Sequence, residues 1–315
     1  MTRGDDLHAD IQDDAGLRWR DDRVPLEFRI GPLDLGRSAL QAFRLVTPCL
    51  KLSTANAPVN GSLPTGCNAA YCPALPVETE LPIFAMSGGA IRYVLRQEQR
   101  YFVVVEGSHE AYLAKFSGKT RNTFRRHLKR FTESSGGSLH WRTYRTPDEV
   151  REFHASAISL SRASYQHSIG YGLPDTPSFV DELADDAGRG RVRGYLLFHD
   201  GVPAAYALCP IVEDVMEYAR LGYSPAFENL SPGRVLLLLI LEQLFEEKSV
   251  RYLDFGAQEF SYKSQFATDQ MRTARVLYVR PTVANVSLLA AHATVRGVWN
   301  GLSLVRSLIR GPARA

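Results

Sequence analysis

The chain has 315 residues, 45% of them hydrophobic and 23% charged, enough to build one large core or two lobes and to exclude a disordered, collagen-like or coiled-coil protein. Its formal net charge of +3 is too small to make nucleic-acid binding the default expectation. That sum hides polarity: residues 1–27 hold eight acids against four arginines, residues 111–132 seven basic groups and no acid, and residues 270–315 seven arginines and no acid.

The acidic, aperiodic start predicts a flexible leader over residues 1–23. Ordered structure is expected from Val24, with an alternating VPLEFRI, a helix near residues 38–46, and a loop rich in Pro, Gly, Asn and Ser over residues 47–82. Two strand-like runs follow, AIRYVLR and YFVVVEG, joined by the polar Gln97 to Gln99. Leu113, Phe116, Thr120, Phe124, Leu128 and Phe131 recur at helical steps, with the basic residues on the other faces, and predict an amphipathic helix ending at Gly136 and Gly137. LHWRTY alternates as a strand, and Pro147 opens a second helix to about Ser164.

Beyond Arg191 the pattern sharpens. VRGYLLFHD and VPAAYALCPIV flank Asp200 and Gly201, a hairpin signal, and VMEYARLGY supplies a third strand. RVLLLLILEQLFEEK is apolar on most sides and predicts a buried helix; VRYLDFG is a return strand, SYKSQF a short helix or loop, and RTARVLYV a final strand. The order describes an α/β (α+β) mixed sheet with an internal crossover. Residues 281–315 predict a basic amphipathic helix, packed on the sheet or resting on a membrane surface.

Several residues stand out chemically. Ser231 and Pro232 make a helix start with Ser as N-cap and Pro at the first position, Gly233 permits close backbone approach, and Arg234 adds charge, a combination suited to an anion. Asp254 ends the return strand on Gly256, with Tyr262 and Lys263 close behind, and a phenol suits protonation of a departing thiolate. Glu217, in the third strand, is placed to take an ammonium proton or to sit on a solvated face. The basic helix that includes Arg121 serves as a solvated face, as a site for an acidic ligand, or as a nucleic-acid contact, in that order. No defensible Ser/His/Asp set, metal-ligand spacing or Gly-rich nucleotide motif is visible. Cys49, Cys67, Cys72 and Cys209 lack zinc spacing and fit reduced thiols in a cytoplasmic protein. No secretory signal or run of ~20 apolar residues is present.

The stretches AYLAKFSGKTRNTFRRHLKRF, FHASAISLSRASYQHSIGYGL, GYLLFHDGVPAAYAL, SPGRVLLLLILEQL and DFGAQEFSYKSQF resemble, in order and spacing over residues 100–280, the CelD-like acetyltransferase domain of the GNAT superfamily, a relative of the FemAB aminoacyltransferases. The resemblance implies a GNAT-like fold with a catalytic domain at residues 101–280 and an N-terminal lobe at residues 24–100, with a degenerate second GNAT-like lobe as one option for the latter. It implies an acyl-CoA co-substrate and no metal. A splayed strand at residues 215–223 would present backbone N–H groups near Leu221 and Gly222 to the thioester. A loop at residues 228–234 would place Ser231, Pro232, Gly233 and Arg234 on the pyrophosphate. Tyr262 is then the general acid and Glu217 the base, with Arg121, Tyr165, Gln166, Asp254 and Lys263 facing the acceptor.

The loop departs from the family pattern Q/R-x-x-G-x-G/A, because Glu228 holds its first position and Ser231 replaces its first glycine. An acid at the loop entrance argues against coenzyme A in the usual pose. The implied function is N-acyl transfer, acetyl or longer, to a small-molecule, glycan or peptide amine. The alternatives are a FemAB-like transferase using aminoacyl-tRNA, with tRNA a partner of lower rank, and a non-catalytic scaffold in polysaccharide biosynthesis. The expected location is cytoplasmic, with peripheral membrane contact through the C-terminal segment as an option.

Overall fold

A computed structural model of the chain describes residues 11–13, 16–30, 32–52, 63, 67–164, 172–257 and 261–310. The chain divides into two compact units, Met1–Glu98 with Met271–Ala315 and Gln99–Gln270. The first contributes strands β1 (Ile11–Gln12), β2 (Arg18–Ile30), β3 (Leu33–Leu45), β4 (Ala69–Pro76) and β5 (Phe84–Ser87), and β6 (Ala90–Val104) runs on past the division. The second unit follows with α1 (His109–Ala114), α2 (Gly118–Ser134), β7 (His140–Tyr144), α3 (Pro147–Ala163), α4 (Pro177–Gly188), β8 (Val192–His199) and β9 (Val202–Val212). Next come β10 (Val215–Glu217), β11 (Arg220–Tyr223), α5 (Pro232–Glu247), β12 (Tyr252–Asp254) and α6 (Ser261–Phe266). β13 (Asp269–Val279) and α7 (Val283–Arg310) belong almost wholly to the first unit again.

In the first unit the helix expected near residues 38–46 is instead the end of β3, which pairs with β2 from Trp19↔Leu45 to Ile30↔Leu33. That pairing buries Val24, Leu26 and Ala42, so cross-strand packing overrides the local helical spacing. The stretch at residues 47–82, read as loop, contains β4, held in parallel by β3 and antiparallel by β13. The two strands expected around Gln97 to Gln99 are one, β6. No turn residue interrupts it, and the Gln97 amide pairs with both backbone groups of Leu81, at 2.8 and 3.0 Å. β13 is buried on both faces: its Val276 and Tyr278 pack with Trp19 and Cys72, while Leu277 and Val279 pack with Leu26, Tyr93 and Leu289. α7 is pinned by His292, whose Nδ1 lies 2.7 Å from the Tyr93 hydroxyl, and by Arg296, which donates to Val94 O at 3.1 Å.

In the second unit the expected amphipathic helix is two. Ser117 breaks it, and its hydroxyl accepts the Thr120 N–H at 3.2 Å to start α2. α3 opens on Pro147 with a capping box between Thr146 and Glu149. β8 and β9 meet at Asp200 and Gly201, with φ of 48° and 80°, the pair of positive angles that a two-residue hairpin turn requires. α5 buries Val235 to Leu241, Leu244 and Phe245 against β8, β9, α1 and α2, which explains why its sequence is apolar nearly all round. The sheet runs β12, β10, β9, β8, β7, with the end of β6 antiparallel to β12. This is the mixed α/β sheet expected of a GNAT-like fold.

Candidate active site

The site is built where one strand changes partner. β9 pairs antiparallel first with β10, through Val215↔Val212, and then with β11, through Arg220↔Leu208 to Tyr223↔Ala205. β10 also lies parallel to β12, with Glu217 opposite Asp254, and the Tyr218 N–H donates to Asp254 O at 2.8 Å. From Arg220 onward β11 pairs only with β9 among the described residues. The sheet therefore forks between β11 and the segment after β12, and the two-stage third strand is the splayed strand that the resemblance implied.

Glu217 stands at the mouth of the fork, its side chain 51% exposed. Asp254 is buried, at 2% exposure, and its carboxylate accepts from Arg100 Nε at 2.9 and 2.7 Å and from the Gly256 N–H at 2.8 Å. Arg100 Nη2 reaches Asp254 Oδ2 at 2.7 Å and Glu217 Oε1 at 3.9 Å. A buried charge needs such a partner. Asp254, expected to face an acceptor, thus faces Arg100. Sequence reasoning missed Arg100, because it sits in what reads as a polar joint between two strands.

Tyr262 is on α6, after β12. Its ring is 6.3 Å from Phe255, which is in turn 5.9 Å from Tyr218. Burial pushes the Tyr262 phenol up to about 12. Lys263, 6% exposed, is directed inward, with its ammonium near Gly256.

Gly222 has a packing reason for being glycine. A Cβ there would lie 2.3 Å from Tyr206 Cε1, and the Tyr206 hydroxyl is committed to Ser161 Oγ at 3.0 Å. Leu221, opposite Ala207, packs its side chain on the core.

The loop after β11 is a 3-10 turn, Pro225–Leu230, followed by Ser231 in the left-handed region at φ 54° and ψ 48°. Ser231 occupies the N-cap position without the expected side-chain cap, since a left-handed backbone does not have the extended geometry of an ordinary N-cap. Its carbonyl takes the N–H groups of Arg234 and Val235, at 3.0 and 3.2 Å. Pro232 has no N–H, so Gly233 is the donor left in the first turn. Ser231 holds the conformation that glycine adopts most cheaply. Glu228 accepts from the Tyr223 hydroxyl at 3.4 Å. Burial, then Arg234, Arg126 and Arg130 in that order, push the His127 imidazole down, which ties the charge of Arg234 to that of α2.

Arg121 takes a different place and donates to Ala114 O at the end of α1, at 3.5 Å. Tyr165 and Gln166 lie outside the described residues. The flanks of that segment are anchored: Arg220 donates to Gly172 O at 2.7 Å, and Ser161 Oγ accepts the Leu173 N–H at 2.8 Å.

One constellation was not anticipated. Ser134 Oγ lies 2.6 Å from His199 Nε2, and His199 Nδ1 lies 3.4 Å from Asp200 Oδ2. Ser134 ends α2, where the helix presents carbonyls and partial negative charge, the wrong polarity to stabilise an oxyanion. Asp200 is 61% exposed and its N–H is taken by Ser135 Oγ at 3.2 Å. The set ties α2 to the hairpin.

Residues 118–264 match the family described as the acetyltransferase (GNAT) domain; the match does not reach residues 1–117, and a second GNAT-like lobe there gains no support from it. No curated protein matches the chain. Among solved structures the chain is similar to FemX, with 9% identity over 86% of this chain and 90% of that one and a TM-score of 0.49. It is also similar to L-PGS from Bacillus licheniformis, with 14% identity over 70% and 71% and a TM-score of 0.45. Among the described residues no helix is long and apolar enough to cross a membrane. The forked sheet lies within residues 118–264, the span that matches the acetyltransferase (GNAT) domain.

Proposed function

We propose that this domain transfers an acyl group from an acyl-CoA thioester to an amine at the fork between β11 and β12. What supports this reading is the fork: Glu217, an exposed carboxylate, ends β10 where the sheet divides, and Tyr262, a buried phenol, follows β12 on α6. Glu217 takes the proton of the attacking amine, directly or through water. The edge of β11 that pairs with no strand among the described residues, near Leu221 and Gly222, polarises the carbonyl. Tyr262 hydrogen-bonds the leaving atom.

The loop supports a pyrophosphate in this place. A Cβ on Gly233 would come no nearer than 3.8 Å to Tyr223 Cδ1, so nothing in the protein demands glycine there and a ligand can approach its backbone. Arg234, with Arg126 and Arg130 beside His127, would supply positive charge. The thioester, when bound, supplies the activated acyl group; acid–base work falls to the protein. Glu217→Gln and Tyr262→Phe should each lower turnover with acetyl-CoA and a panel of primary amines by ~10²-fold, read as free thiol released. Unchanged rates in both remove these roles, and calorimetry with acetyl-CoA that shows no saturable heat removes the donor.

A second donor, an aminoacyl-tRNA ester, is favoured by one observation. Burial holds the Tyr262 phenol up at about 12, above an ordinary thiol, so it gives its proton to a thiolate reluctantly. The alkoxide released from an ester is a stronger base and takes that proton more readily. Titration with tRNA distinguishes the donors: binding that weakens steeply with salt supports the ester, and no binding at low salt eliminates it.

A further inference from the structure

The fork contains a buried charge pair that neither catalysis nor the family match assigns. Arg100 lies at 14% side-chain exposure and Asp254 at 3%. Residue 100 precedes the matched span of 118–264, while Asp254 lies inside it. Three of its contacts fix the guanidinium against Asp254, at 2.7 to 2.9 Å, in the side-on geometry that gives Arg its orientation. Nη2, which bonds Asp254 Oδ2, also lies 3.9 Å from Glu217 Oε1. Glu217 and Asp254 are register partners on parallel strands, so one cation serves two carboxylates at the last rung before the fork opens.

We propose that Arg100 is a positioning residue: clamped by Asp254, it holds Glu217 as a carboxylate at the mouth of the fork. The functional part rests on the reading of Glu217 as the base; the electrostatic coupling does not. The charged and titratable groups that face Glu217 include Arg100 from β6, Asp254 from β12 and the buried Cys209 thiol of β9, which Glu217 helps to push up after burial.

The two partners act with opposite sign. Arg100→Met removes the cation and leaves Asp254 unbalanced, and both changes raise the Glu217 titration midpoint. Asp254→Asn frees the Arg100 charge for Glu217 alone and lowers it. A role confined to packing predicts no such opposition.

The experiment is a carboxylate titration by carbon NMR on the full chain labelled at Glu, with Glu217→Gln used to assign the signal. Arg100→Met should move the midpoint up by about one pH unit or more, and Asp254→Asn should move it down. Arg100→Lys, which keeps the charge and folds more readily, should stay within a few tenths of wild type. A Glu217 midpoint that is the same in wild type, Arg100→Lys and Asp254→Asn overturns the coupling, whatever Arg100→Met does. Loss of turnover in Glu217→Gln concerns only the base, so the two ideas fail separately.

Discussion

Replacing Gly222 by alanine tests whether the fork is held open by packing. The added Cβ would sit 2.3 Å from Tyr206 Cε1, 2.9 Å from Cζ and 3.0 Å from the hydroxyl oxygen, against a normal carbon contact of about 3.5 Å. The ring must retreat by about 1 Å, and it has nowhere to go: Tyr206 is 1% exposed, with Phe153 at 6.4 Å between centroids. Its hydroxyl would leave Ser161 Oγ, now 3.0 Å away. Overpacking costs about 1–3 kcal/mol and the lost hydrogen bond about 1 kcal/mol. A loss of about 2–4 kcal/mol lowers the melting temperature of a unit this size by roughly 5–15 °C. Calorimetry on Gly222→Ala, Tyr206→Leu and the double variant measures the coupling, and the double variant should recover at least about 1 kcal/mol relative to additivity. A Gly222→Ala protein that melts with wild type would show that β11 does not press on Tyr206, and the account of the fork would fail with it.

Other expectations follow from the same contacts. Ser231→Gly should hold or raise the melting temperature, because the left-handed backbone costs a non-glycine residue about 1 kcal/mol or more; Ser231→Val, β-branched at the same angles, should lower it clearly. Arg100→Met leaves a buried carboxylate without its cation and should cost about 3–5 kcal/mol in denaturant unfolding, far more than the exposed Arg29→Met. Tyr262, whose phenol is raised by burial from 10.0 to about 12, contributes stability that is complete below pH 10 and lost as pH rises through 12. The stability difference between wild type and Tyr262→Phe should therefore shift against wild type over that interval, measured by thermal unfolding at stepped pH; a constant difference would mean that the phenol is not buried.

The parts of the fold legible in the sequence are those governed by neighbours along the chain. Pro147 after Thr146, Asp200 with Gly201, and the all-apolar α5 each carry their structural reason within a few residues, and each forms as expected. The failures depend on remote partners. β3 looks helical until β2 lies beside it, and β6 looks like two strands until Gln97 is paired with Leu81. Ser231 shows the middle case: the sequence marks a helix start correctly, but φ of 54° is set by the turn that precedes it, so the side-chain cap does not form.

The candidate site divides in the same way, and its charge shows why. Read in sequence, Glu217 and Asp254 are two acids on two strands, both available to a substrate. In the fold, Arg100, which is 154 positions from Asp254, consumes one of them, and Glu217 stays half exposed. A site with two free carboxylates would hold a proton between them near neutrality or select a dication. With Asp254 taken up by Arg100, the base proposed above is the carboxylate that the solvent can reach.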